Sequence, residues 1–97
     1  MTEIAHPSTR FAANLTRLRK AAGLSQEELS FRAAIHRTQI SLIEGGRRMP
    51  RLDTLIKLAG ALGVSLQDLL AGIAWEPSIA SPGRFIVEPI GGEAEDG

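Results

Sequence analysis

The first apolar pattern of the chain has the spacing of an α-helix. Phe11, Leu15 and Leu18 follow one another at steps of four and three residues, so they share one helical face. Ser8 or Thr9 can cap the amino end of this helix, because a hydroxyl oxygen accepts hydrogen bonds from the free amide groups there. The pattern therefore predicts a helix with one face in a core.

A second, shorter helix is predicted by a capping box. Ser25 is followed three residues later by Glu28, so each side chain can accept a hydrogen bond from the backbone amide of the other residue. Leu29 and Ala33 lie one turn apart on the inward face. We expect the helix to end near Ala33 and a tight turn to follow at 34–35.

The next amphipathic segment, residues 36–44, has a polar face opposite Ile40 and Ile43 and ends at Gly45 and Gly46. Such a helix buries one side and leaves the other for a partner. Two short helices joined by a tight turn are typical of a helix-turn-helix, in which the second helix enters the major groove of DNA.

Two further helices are predicted downstream of a basic loop at 47–51. One spans roughly residues 52–62, and a shorter one begins at the cap pattern Ser65 to Asp68 and ends near Ala71. The inward residues expected on the longer helix are Leu52, Leu55, Ile56, Ala59 and Leu62.

The character of the chain changes after residue 72. We expect residues 73–83 to be extended or looped, because Pro77 and Pro82 disfavour regular structure. The segment 84–88 is predicted to be a strand. No other strand is predicted, so we favour pairing of this one with its copy across a dimer axis. The alternative is a flexible tail that packs loosely on its own chain.

The predicted organisation is an all-α, five-helix domain with a short C-terminal extension. It consists of a flexible arm, the helical domain, a C-terminal extension that holds the dimerisation strand, and a disordered acidic tail, at residues 1–7, 8–72, 73–90 and 91–97.

The net charge of zero conceals an asymmetry. Residues 10–57 hold ten of the eleven Lys and Arg residues and four acids, a net charge of +6, whereas residues 58–97 have a net charge of −5. A polyanion would therefore meet the first block.

Several classes of protein are disfavoured by composition. The sequence has no cysteine and no apolar run of membrane-spanning length, and its first residues lack a signal-peptide pattern. We expect a cytoplasmic protein that has no membrane association, no metal, no cofactor and no enzymatic activity.

Three blocks in order resemble the Cro/C1-type (xenobiotic-response-element type) helix-turn-helix regulators. They are L-R-K-A-A-G-L-S-Q-E-E-L-S at 18–30, I-H-R-T-Q-I-S-L-I-E-G-G-R-R at 35–48 and L-I-K-L-A-G-A-L-G-V-S-L-Q-D-L-L at 55–70. The resemblance covers about two-thirds of the chain. It implies a phage-repressor-like fold that binds double-stranded DNA.

The resemblance also implies roles for single residues. Arg37 falls where a guanidinium fork can pair with guanine O6 and N7, and Gln26 falls where the family grips a DNA phosphate. The full set of implied base contacts is His36, Arg37, Thr38 and Leu42. The implied phosphate contacts are Gln26, Gln39, Ser41, Arg47, Arg48 and Arg51.

Two positions bear on the stability of the predicted domain. In the family, the residues matching Arg19 and Glu44 form a partly buried ion pair, so Arg19 is expected to be architectural. Ala34 stands where the family usually has glycine in the turn, and a left-handed alanine costs on the order of 1 kcal/mol.

The exposed apolar residues of the C-terminal part predict a homodimer. Two recognition helices about 34 Å apart would then read an inverted repeat. The expected interface residues are Leu66, Leu70, Ile73, Trp75, Phe85 and Val87.

The favoured function is a sequence-specific transcriptional regulator. One alternative is a controller protein of a restriction-modification system, because such proteins are also short and carry a similar H-R-T block. The other is an antitoxin that binds a toxin and its own operator, which the acidic tail and the unpaired strand leave open.

Overall fold

A computed structural model describes residues 6–89, which form five helices followed by a two-stranded antiparallel sheet. The elements are α1 (Pro7–Ala21), α2 (Gln26–Ala33), α3 (Arg37–Glu44), α4 (Leu52–Leu62), α5 (Leu66–Leu69), β1 (Ile73–Glu76) and β2 (Arg84–Val87). The five-helix prediction is confirmed. Of the arm predicted at residues 1–7, residues 1–5 lie outside the described residues, as does the tail predicted at 91–97, while His6 and Pro7 form the start of α1.

All five helices contribute to one hydrophobic core. Short helices of this kind are marginal alone and become stable when their apolar faces meet. The apolar side chains with no exposed surface are Phe11, Leu15, Leu29, Ile40, Ile43, Leu58 and Leu69. Within the described residues, every helix is too short or too polar to cross a bilayer.

The amino end of α1 differs from the prediction, because His6 caps it rather than Ser8 or Thr9. The Nδ1 atom of His6 accepts a hydrogen bond from the backbone N–H of Ser8 at 3.1 Å. Pro7 occupies the first helical position, where its ring favours helical geometry and no N–H is needed. The helix therefore starts earlier than the hydroxyl pattern indicates.

The orientation of α4 corrects part of the predicted inward set. Leu55 and Ala59 are buried as predicted, and Leu58 completes the buried face. Leu52 and Ile56, however, are 68% and 54% exposed. The helix carries apolar residues on two faces, and only the one centred on Leu55, Leu58 and Ala59 packs into the core.

The C-terminal strand is confirmed, but the prediction that it lacks a partner in the chain is wrong. β1 and β2 pair antiparallel, with Ile73 opposite Val87 and Trp75 opposite Phe85. We call residues 73–87 the hairpin. Residues 73–76 form a strand within the segment predicted to be extended or looped. The reversal that follows them brings β2 back beside β1.

The base of the hairpin is held to α1 by two buried polar side chains. Arg10 donates through Nε to the carbonyl of Ala71 at 3.1 Å and through Nη1 to that of Pro89 at 2.9 Å. Asn14 donates through Nδ2 to the carbonyls of Leu69 and Ala71, both at 2.9 Å. The bonds to Leu69 and Ala71 satisfy carbonyls that the end of α5 would otherwise leave unpaired.

Gly72 is required where Arg10 crosses the chain. Its φ of +81° is left-handed, and a Cβ atom there would lie 2.9 Å from the Arg10 guanidinium carbon. The absence of a side chain thus lets the guanidinium lie against the backbone between α5 and β1.

Candidate nucleic-acid interface

The capping box predicted at the start of α2 is present. The Ser25 hydroxyl accepts from the Glu28 amide at 3.0 Å, and the Glu28 carboxylate accepts from the Ser25 amide at 2.8 Å. The backbone hydrogen bond from Ser25 lowers the pKa of Glu28. Gln26, the first residue of α2, is thereby placed at a helix terminus whose amide groups favour anions.

The turn between α2 and α3 closes around a left-handed alanine. Ala34 has φ 55° and ψ 47°, the conformation that glycine adopts at least cost. Its neighbour Ile35 donates its amide to the carbonyl of Ser30 at 3.0 Å and places its side chain in the core, 8% exposed. The turn therefore has the expected shape despite the missing glycine.

One face of α3 is buried and the opposite face is exposed, as expected of a helix that binds a partner. Ile40 and Ile43 are fully buried and fix the helix to the body. The opposite side carries exposed Arg37, Thr38 and Ser41, with half-buried Gln39 and Leu42 at its margins. All five of these outward or marginal residues belong to the predicted DNA-contact set.

His36 lies just before α3 and caps it. Its Nδ1 atom accepts a hydrogen bond from the backbone N–H of Thr38 at 3.2 Å, and the rest of the side chain is exposed. The residue predicted to contact bases is thus also part of the helix terminus.

The ion pair between α1 and the end of α3 is present and nearly buried. Arg19 donates through Nε to Glu44 Oε2 at 2.6 Å and through Nη2 to Glu44 Oε1 at 3.0 Å. The two side chains are 11% and 6% exposed. Arg19 also donates to the Leu24 carbonyl at 2.8 Å, so its guanidinium is occupied inside the fold.

The same carboxylate binds Gln26, a contact for which the sequence carries no local signal. Gln26 donates through Nε2 to Glu44 Oε1 at 2.9 Å. The carboxylate acts as acceptor, so the amide orientation is fixed with nitrogen toward Glu44. The carboxylate therefore connects α1 and the end of α3 with the residue predicted to grip a phosphate.

The pKa of Glu44 depends on two opposing effects, burial of the carboxyl group and its interactions with neighbouring side chains. Burial by itself raises the pKa of the carboxyl group, but hydrogen bonds from Arg19, Gln26 and Thr16, together with the charge of Arg19, lower it below the usual value. The hydrogen bond with Glu44 raises the pKa of Arg19 despite desolvation. Both groups are held in their charged forms.

The loop after α3 presents the remaining basic residues of the predicted set. Arg47, Arg48 and Arg51 are exposed, and Arg51 lies 3.7 Å from the Asp53 carboxylate in a largely exposed pair. Exposed pairs of this kind are weak and leave the guanidinium accessible. Arg10 and Arg19, by contrast, face inward, so part of the basic block serves the fold.

The predicted dimer residues fall into two groups. Leu66, Trp75 and Phe85 are exposed by 38%, 51% and 51%. The half-buried ones are Leu70, Ile73 and Val87, and the first two of these pack against the core of their own chain.

Comparison with known proteins places this architecture among regulators. The helix-turn-helix family model HTH_3 matches residues 15–69, ending before the hairpin. The HTH-type transcriptional regulator y4dJ of Sinorhizobium fredii (strain NBRC 101917 / NGR234) is 45% identical over 58 residues, which are 60% of this chain and 75% of that protein. The control protein C.BamHI of Bacillus amyloliquefaciens is 50% identical over 49 residues, which are 50% of this chain and 60% of that protein.

A solved structure agrees with the sequence relatives. The restriction-modification controller protein C.AhdI from Aeromonas hydrophila superposes with a TM-score of 0.62 and 37% identity, over 64% of this chain and 94% of that one. The helix pair, its caps and the matched residues lead to one conclusion: the chain belongs to the Cro/C1-type helix-turn-helix family.

Proposed function

We propose that this chain is a transcriptional regulator that inserts α3 into the major groove of a specific DNA sequence. The observation that carries the proposal is the division of α3: buried Ile40 and Ile43 fix the helix, while its opposite face presents Arg37, Thr38 and Ser41. That face leads into a loop with exposed arginines, as expected of a surface that follows the phosphates of the groove.

The contacts separate into those that read sequence and those that position the protein. His36, Arg37, Thr38 and Leu42 are the proposed base contacts, because they occupy the start and outward margin of α3. The proposed phosphate contacts are Gln26, Gln39, Ser41, Arg47, Arg48 and Arg51. They carry amide, hydroxyl or guanidinium donors suited to phosphate oxygens.

Gln26 has the donor that its proposed role needs. An amide nitrogen carries two hydrogens, and only one of them is directed to Glu44. The second is available for a phosphate oxygen at the amino end of α2. Glu44 thus supports this role as a positioning residue, since it limits the rotation of the amide.

We infer a homodimer acting on an inverted repeat. Support comes from apolar side chains left exposed after the core has formed, among them Leu52 and Ile56 on α4, Leu66 on α5, and Trp75 and Phe85 on the hairpin. Exposed apolar surface of this kind is typical of interfaces. The hairpin is already paired within its chain, so the proposed interface rests on side-chain packing and needs no shared strand.

A narrower function is that of a restriction-modification controller. The relatives named as control proteins and the superposition on C.AhdI favour it. The antitoxin alternative loses one of its two supporting observations, because the strand has a partner in the chain.

The proposal is tested by selecting bound sequences from a random DNA pool at a stated ionic strength of about 0.15 M. We expect enrichment of one motif with two-fold symmetry. Enrichment of a single half-site would contradict the dimer, and no enrichment would contradict sequence-specific binding altogether.

A matched pair of variants separates reading from positioning. Arg37→Ala should relax selection at one base-pair position and cost about 1–3 kcal/mol of specific binding. Arg48→Ala should weaken binding to all sequences alike and reduce the slope of log affinity against log salt by about one. The same response from both variants would contradict the proposed division of roles.

A further inference from the structure

Both histidines of the chain cap helices through the same ring atom. His6 Nδ1 accepts from the Ser8 amide at 3.1 Å at the start of α1, and His36 Nδ1 accepts from the Thr38 amide at 3.2 Å at the start of α3. Asp, Asn, Ser and Thr are the residues usually found at this position. An imidazole cap differs from those side chains because its second ring nitrogen, Nε2, has a protonation state that depends on the cap.

The cap fixes the hydrogen-bonding character of the outer ring atom. A ring nitrogen that accepts a hydrogen bond carries no proton, so the proton of the neutral imidazole resides on Nε2. Rotating the ring by 180° would turn a C–H group toward the Thr38 amide, which cannot accept it. His36 therefore presents a single polar atom to its surroundings, and that atom is a donor.

We propose that His36 is a specificity residue that acts as a donor only, fixed in that state by its cap of α3. This inference rests on the proposed function and deepens it. The Nε2–H group requires an acceptor on DNA, such as guanine N7 or O6, adenine N7, thymine O4 or a phosphate oxygen. Among the base edges of the major groove, cytosine offers only a donor, so His36 disfavours cytosine at the base it faces.

His36 and Arg37 are then complementary readers. The guanidinium fork of Arg37 offers two parallel donors and prefers guanine. The single donor of His36 can form a hydrogen bond with the major-groove edge of three of the four bases. Each neighbour thus contributes a different degree of selectivity, although both are donors.

The first test is the tautomer of the free protein. Long-range ¹H–¹⁵N NMR spectra of the full chain distinguish a protonated Nε2 from a protonated Nδ1, and the spectrum of His36→Ser assigns the His36 signals against those of His6. We expect the proton of His36 on Nε2. A proton on Nδ1 overturns the proposal.

The second test separates the cap from the DNA contact by two substitutions. His36→Ser retains an oxygen cap but has no group that reaches DNA, whereas His36→Ala loses both functions. We expect His36→Ser to unfold at the same urea concentration as the wild type and to bind the selected operator about three- to tenfold more weakly. Should the serine variant be unstable, His36→Thr provides the same comparison with another hydroxyl cap.

Modified DNA identifies the acceptor. Operators carrying 7-deazapurines at single positions lack N7, and methylphosphonates replace charged phosphate oxygens. At one position the loss should be large for the wild type and small for His36→Ser. Such a loss with a 7-deazapurine supports the specificity role, whereas a loss with a methylphosphonate alone overturns it. Equal losses for both proteins at every modified position exclude purine N7 and the phosphates. Equal losses also at every position where cytosine replaces the native base then exclude O6 and O4 and overturn the DNA contact.

The outcomes distinguish this inference from the proposed function. A wild-type protein that selects no motif removes the function itself. A wild-type protein that selects a motif while His36→Ser binds it equally well removes only the inference.

Discussion

Two Arg–Glu pairs within residues 6–89 have the same chemistry in contrasting places. Arg19 and Glu44 join α1 to the end of α3 with side chains 11% and 6% exposed. Arg84 and Glu76 bridge the two hairpin strands at 2.9 Å, but their side chains are 72% and 56% exposed. Water competes for the second pair and is almost excluded from the first.

The difference shows how each region is held in place. The helix pair α2–α3, our proposed DNA-binding surface, is fixed from within by a buried network of charged and polar groups, and its caps complete the helix ends. The hairpin has an exposed ion pair and an exposed aromatic contact, and its attachment depends on Arg10 and Asn14 at its base. A substitution should therefore have very different effects in the two regions.

The largest effect is expected for Glu44→Ala. Removing the carboxylate leaves Arg19 nearly buried without its charge partner, which should lower the free energy of unfolding by about 3–5 kcal/mol. Urea denaturation followed by circular dichroism measures the loss. The matched control is Glu76→Ala in the exposed pair, for which the change should stay under about 1 kcal/mol. Normal stability of Glu44→Ala with weakened DNA binding would reject the architectural role.

A smaller effect, from the Glu44 network and from the capping box of α2, is expected with acid. The pKa values of Glu44 and Glu28 are lowered in the folded protein from the ordinary value of 4.5. The ionised carboxylates therefore stabilise the fold, and their full contribution is present above pH 4.5. This stabilisation should disappear as the pH falls below 4.5 through the folded-state pKa values. Urea midpoints measured against pH should show a shallower acid slope for Glu44→Gln. An unchanged slope would exclude Glu44 as a source of the acid sensitivity.

A loss confined to one region is expected for Arg10→Met. The methionine keeps much of the aliphatic stem but removes the donors to Ala71 and Pro89, which should cost about 1–3 kcal/mol. Hydrogen exchange should become faster in β1 and β2 and remain unchanged in α2 and α3. Uniform acceleration across the chain would indicate that the hairpin and the helical body unfold as one unit.

The smallest effect is expected for Ala34→Gly, and it should be stabilising. Glycine relieves the left-handed strain, so a gain of up to about 1 kcal/mol is expected, reduced by the greater freedom of glycine in the unfolded chain. Ala21→Gly, in the last turn of α1, is the control and should destabilise. A destabilised Ala34→Gly would mean that the turn is not strained.

The helices and most of their ends were predictable because their signals are local, although the cap of α1 by His6 was not. Ser25 with Glu28 and Ser65 with Asp68 mark two helix starts within four residues each, and the structure contains both capping boxes. The Arg19–Glu44 pair was predictable only through family resemblance, since the two residues are 25 positions apart.

The hairpin and the orientation of α4 were less predictable because they depend on tertiary context. β1 becomes a strand only when β2 returns beside it, and Leu52 and Ile56 fit a helical pattern as well as the buried residues do. Arg10 and Asn14 lie next to Phe11 and Leu15, the inward residues of α1. Polar residues beside an apolar stripe are the one signal in the sequence for the hydrogen bonds by which Arg10 and Asn14 hold the base of the hairpin to α1.

The aromatic pair on the hairpin has a consequence for spectroscopy. Trp75 is the only tryptophan in the sequence, and it contacts Phe85 edge-on at a ring-centroid distance of 5.1 Å. Intrinsic fluorescence therefore reports on the hairpin, while far-ultraviolet circular dichroism is dominated by the helices. The two signals, recorded during one denaturation, follow the hairpin and the helical body separately, without any added label.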